Sequence, residues 1–210
     1  MLEVVRMREV DENELRYVEE LVRDFGEIPT ELIVVFISRE GALDIFNISV
    51  DKVKAVKSED GYLLLVAEPD KLSLWRELAS IKAVSDPEAL SIWTAPERYR
   101  DELSQLLSMA LYKRVVDLYI ARKDVNIVSS LFNPSELPVE VDDVKRSLVY
   151  TLGLDATVSI AIAGFKSIAE ELYVKIRRTP LYDIYTRFRN FVINNFKFEY
   201  IYNYLNILVG

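Results

Sequence analysis

Hydrophobic residues recur along the chain in two textures. In DENELRYVEELVRDFG, Leu15, Val18, Leu21, Val22 and Phe25 share one face of a 3.6-residue period with Glu and Arg opposite, which predicts an amphipathic helix. Asp11 stands at its N-cap with Glu14 three residues on, and Gly26 closes it. The segments LIVVFIS, ALDIFNIS, VKAV and YLLLVAE that follow are short and rich in Val, Ile and aromatics, with SREG and SEDG turns between them. Connections of so few residues join only hairpin neighbours, so these segments predict an antiparallel β-meander. Asp70 then opens a short helix through Trp75 and Leu78, and ALSIW returns as a further strand.

Beyond residue 94 the period is helical. TAPE at Thr94 to Glu97 matches a capping box with Pro96 in the first turn, and the helix it opens, ERYRDELSQLLSMALYKRVVDLYIAR, is apolar around much of its circumference, as a central, surrounded helix is. A polar loop with Asn133, Pro134 and Pro138 leads to a helix bearing Val141, Val144, Leu148 and Leu152 on one face and closed by Gly153. Asp155 caps the next, whose buried face carries Val158, Ala161, Phe165, Ile168, Leu172 and Ile176, and Thr179-Pro180 starts another. In FKFEYIYNYLNILVG, Phe196, Phe198, Tyr200, Tyr202 and Tyr204 alternate as in a strand, while Phe198, Ile201, Tyr202, Leu205 and Leu208 make an almost equally good helical stripe. The expected fold class is α+β. Residues 1–94 form an N-terminal antiparallel β-meander with flanking helices, and residues 95–210 a C-terminal all-helical bundle. No Gly/Ser/Pro-rich linker separates the halves, so they are expected to pack together as one unit. There is no internal repeat at solenoid spacing and no low-complexity segment.

Composition narrows the chemistry. Half of the 210 residues are hydrophobic and 29% are charged, which is a globular rather than a disordered balance. With 26 Lys+Arg against 34 Asp+Glu, the formal charge of -8 repels a phosphate backbone, so nucleic-acid binding needs a local basic patch. The absence of Cys and His excludes disulfides, thiolate or imidazole zinc sites, Cys or Ser/His relays and imidazole acid/base catalysis. Few Gly and Met beside abundant Ile, Val, Glu, Lys and Arg fit a thermophilic protein. The start, MLEVVRMREVDENELR, carries charges at short intervals and no apolar secretory core, and no run of about 18 apolar residues occurs, so a cytoplasmic protein without membrane contact is expected.

Three candidate sites remain. VYTLGLDATVSIAIA invites comparison with a helix-turn-helix, yet Gly153 and Thr157-Val158-Ser159 stand one residue too close, and Ser159 to Gly164 offers no Arg, Lys, Asn or Gln to a base or phosphate. Asp44, Asp51, Glu68 and Asp70 could hold Mg²⁺ if neighbouring strand ends brought them together, although AEPDK lacks the spacing of a metal-dependent nuclease motif. Phosphate-cradling glycine loops are absent, so neither a nucleotide nor any other cofactor is expected. Residues 151 to 210 alone have a positive balance, and Arg177, Arg178, Arg187 and Arg189 lie among aromatics. On a helix, Leu181, Ile184, Tyr185, Phe188, Val192 and Phe196 make the buried stripe of residues 180 to 196, with Arg187 and Arg189 diverging on its flanks. The expected function is therefore that of a non-catalytic accessory or scaffold subunit of a cytoplasmic macromolecular complex. It would bind a protein partner or a second copy through Tyr200, Tyr202, Tyr204 and these four arginines, since Tyr and Arg are enriched at interface hot spots. The alternatives are a nucleic-acid-associated subunit using the same basic patch and a carboxylate/metal-dependent hydrolase.

Overall fold

The structure is a computed structural model that describes residues 3–137, 142–178 and 181–210, the side chains of Arg177 and Arg178 excepted. It is α+β and divides into two compact units, Met1–Asp86 and Pro87–Gly210. The first contains β1 (Glu3–Arg6), α1 (Glu12–Phe25), β2 (Glu31–Phe36), α2 (Arg39–Phe46), β3 (Val53–Lys57), β4 (Gly61–Val66) and α3 (Lys71–Ser85). The second contains α4 (Pro87–Trp93), α5 (Glu102–Ala121), α6 (Val125–Leu131), α7 (Val144–Leu154), α8 (Ala156–Ile162), α9 (Lys166–Tyr173), α10 (Tyr182–Asn194) and α11 (Phe198–Leu208), with 3-10 turns at Pro134–Glu136 and Val174–Arg178.

The expected antiparallel meander is corrected to a mixed sheet of order β1-β2-β4-β3, in which β1, β2 and β4 are parallel and only β3 runs against β4. Two local readings caused the error. ALDIFNIS is not a strand: the Ser38 hydroxyl accepts from Gly41 N at 3.0 Å and starts α2, while Asn47 in the left-handed region ends it. With a helix after β2, the chain has room to place β4 beside β2 and leave β3 at the edge. The SEDG turn does make a hairpin, closed by Ser58 N donating to Gly61 O at 2.9 Å. β1 lies in a charged opening segment that has no alternation of its own.

Both faces of the sheet are covered. Val35 and Leu65 point to the side of α2, where they meet Ala42 and Phe46. By strand alternation Val34, Phe36, Leu64 and Val66 point to the other side, and each is fully buried. There α1 and α3 pack on one another, with Trp75 Nε1 donating to Leu21 O at 3.0 Å and its ring edge-on to Phe25. Strands buried on both faces read as continuous apolar runs, which is what LIVVFI and YLLLV are.

Asp11 caps α1 as expected, its Oδ1 accepting from Asn13 N at 2.8 Å and Glu14 N at 2.7 Å, and Asp70 caps α3. In the second unit α5 is central: it packs against α4, α6, α7, α8 and α11. Four further readings are corrected. ALSIW belongs to the helix α4, whose first residue Pro87 sits where its missing N–H costs nothing. TAPE opens no helix, because Thr94 N is spent on Leu90 O at the end of α4 and Asp101 caps α5 instead, accepting from Ser104 N at 2.9 Å. Gly153 lies within α7, which Asp155 ends. The helix expected from Asp155 through Ile176 breaks at Gly164, whose φ of 102° and the bond from Phe165 N to Ile160 O form a Schellman stop; Phe165 is consequently exposed. Pro138, Val141 and Thr179-Pro180 lie outside the described residues.

Gly61 faces the backbone of β2. A Cβ there would stand 2.3 Å from Glu31 O. Gly61→Ala is expected to lower the stability of the first unit by about 1–3 kcal/mol, read as a drop in urea midpoint. An unchanged midpoint would contradict the β2–β4 register.

Candidate functional site

The carboxyl ends of β1, β2 and β4 meet at a crevice of about 520 Å³ lined by Arg8, Glu14, Ser38, Arg39, Glu40, Ala67, Glu68 and Pro69, the edge where open α/β sheets bind ligands. Its charges answer one another. Arg8 forks onto Glu14 and lies 5.5 Å over the Phe36 ring, and Arg39 Nη2 reaches Glu68 Oε2 at 3.3 Å and Asp51 Oδ1 at 3.5 Å. Asp70 accepts from Ser73 Oγ at 2.7 Å and Ser73 N at 2.8 Å and pairs with Lys52 at 3.1 Å, and these bonds, Ser73's first, hold its carboxyl below the usual range. Asp44 is exposed on α2. Of the four carboxylates considered as metal ligands, three are thus engaged by cations or a cap. Among the described residues no group of three or more carboxylates is placed to hold a metal ion.

In the second unit the structure brings together residues that local patterns keep apart. Asp155 is fully buried between α7 and α8. Its Oδ1 caps α8 by accepting from Thr157 N at 3.0 Å, and its Oδ2 accepts from Tyr185 OH at 2.8 Å. Arg189, 1% exposed, places Nε 3.5 Å from Asp155 Oδ2 and 3.1 Å from Thr157 Oγ1, extends Nη1 to Glu170 at 3.1 Å, and lies 4.0 Å over the ring of Tyr173. Burial pushes the Tyr173 hydroxyl up to about 12, and burial followed by the Asp155 charge raises Tyr185 well above its ordinary value. This cluster joins α8, α9 and α10 from inside. Apart from Glu170, which is exposed, its members are buried, and α8, buried from Ala156 to Ala161, has no face to offer a DNA groove.

The residues expected to bind a partner therefore separate. Arg189 is internal, Arg187 is exposed on α10, and Arg177 and Arg178 end the 3-10 turn with side chains outside the described residues. The tail is the helix α11 rather than a strand, because Phe198, Ile201 and Leu205 are buried together at helical spacing where α11 meets α4, α5 and α10. Tyr202 turns partly inward, donating to Asp101 Oδ2 at 2.8 Å and packing on Phe198 and Tyr99. Tyr200 and Tyr204 turn outward. With Ile207 they form an i, i+4, i+7 stripe in which Tyr200 is 53% and Ile207 79% exposed, and Tyr204 stacks at 3.9 Å on Phe191 of α10. Asn195 and Asn203 complete a shallow depression of about 300 Å³.

A second apolar surface lies between α5 and α7, which run parallel: Arg146 pairs with Glu102 at one end, and Arg114 donates to Gly153 O at 3.2 Å at the other. Leu106, Met109 and Ala110 face Val149, Tyr150 and Gly153 across a groove of about 380 Å³, with Lys113 and Arg146 also lining it. Neither Met109 nor Tyr150 entered the sequence reading. Each sits on a helix whose other faces are filled by core residues, and only the tertiary packing decides which apolar position is left outside.

Two predictions test the buried cluster. Asp155→Ala leaves buried Arg189 with only the exposed Glu170 as a carboxylate partner and is expected to cost about 3–5 kcal/mol, whereas Asp155→Ala with Arg189→Met recovers part of that loss in urea unfolding. Tyr173 ionises more readily unfolded, near 10, than folded, at about 12. Its contribution is therefore whole below pH 10 and is lost as pH rises toward 12. Between those limits wild type should lose stability relative to Tyr173→Phe, and parallel pH profiles of the two unfolding midpoints would refute the burial assignment. Compared with known protein families, with characterised proteins and with solved structures, the chain matches none.

Proposed function

We propose that the protein is a non-catalytic accessory or scaffold subunit that works by binding another protein through the outer face of α11. The single observation that carries this reading is that α11 is apolar on both sides. Phe198, Ile201 and Leu205 fill its inner side, while Tyr200, Tyr204 and Ile207 occupy the outer side. A helix hydrophobic all round is ordinarily covered all round. The outer stripe also has the composition of an interface centre: two tyrosines, a phenylalanine and an isoleucine, with Asn at the margin. The only charges on α11 and at its cap are answered locally, Glu199 by Arg98 and Lys197 by the ring of Tyr200, so the matching partner surface is apolar and near neutral.

The nucleic-acid reading finds less support, because Arg189 is committed to Asp155 and Glu170 and leaves Arg187 without it on the surface. The hydrolase reading loses its ligands to ion pairs and a cap. No helix among the described residues is long and apolar enough to cross a membrane.

The test is an affinity-tagged full chain in native extract beside the variant Tyr200→Glu/Ile207→Glu. Wild type is expected to retain a stoichiometric protein that the variant loses, while the unfolding midpoint stays within about 0.5 kcal/mol of wild type, as for exposed positions generally. Retention by both chains, a wild type that sediments alone, or one that only self-associates through this face would each overturn the reading.

A further inference from the structure

We draw no further inference here: the strongest candidate, the apolar groove between α5 and α7, carries nothing further, because Arg146 there stands between the exposed carboxylates of Glu102 and Asp143 and nothing in the structure shows what covers it.

Discussion

The second unit is organised by one buried carboxylate. Asp155 has no exposure, and in one position it ends α7, caps α8, accepts the Tyr185 hydroxyl and faces the Arg189 guanidinium. Taking an ion of each sign out of water costs several kcal/mol per ion, which only close pairing and full hydrogen bonding offset. The arrangement therefore tolerates little displacement: α10 must stay where Tyr185 and Arg189 reach α8. α11 follows α10 through a single short turn, with Lys197 N bonded to Asn195 O, and packs on it. The outer stripe of Tyr200, Tyr204 and Ile207 is held in place by a charge pair it never touches.

What could be read from the sequence was whatever is decided within a few residues. Asp11, Asp70 and Asp155 were legible as caps because capping is a bond from a side chain to N–H groups two or three positions on. The amphipathic face of α1 and the apolar girth of α5 were legible for the same reason. Strand order was not, since β2 pairs with β4 across an intervening helix and strand. Ser38 before Arg39-Glu40-Gly41 is a cap signal of the same kind as Asp11, and the pull of Ile45 and Phe46 toward a strand masked it. Gly164 stopped a helix whose apolar period continues unbroken past it, because a left-handed residue interrupts the backbone without altering the side-chain pattern.

The candidate site was legible to a similar depth. Aromatic content marked the tail, but a period of 2 and a period of 3.6 share so many positions there that the pattern left both open. Burial of Phe198, Ile201 and Leu205 decides for the helix, and with it the tyrosines divide: Tyr202 goes inward and Tyr200 and Tyr204 outward. The arginines divide on grounds the local pattern does not contain. Arg187 and Arg189 are two residues apart on the same helix, yet only Arg189 finds carboxylates opposite it, from α8 and α9. Composition marks where charge and rings are concentrated; packing assigns each to core or surface.

The two apolar surfaces sit in different electrostatic settings, and that difference bears on what each can bind. The chain's net charge of -8 makes copies of it repel one another over a range set by the ionic strength, about 8 Å at physiological salt. Beside the outer stripe of α11, Lys197 lies over the Tyr200 ring 5.7 Å from its centroid and Glu199 is paired with Arg98. Contact there rests on burial of ring and aliphatic surface, which salt does not screen. At the α5–α7 groove the charges are of both signs, Arg146 standing between Glu102 and Asp143 at one end and Lys113 exposed at the other, so salt there screens opposed charges rather than a field of one sign.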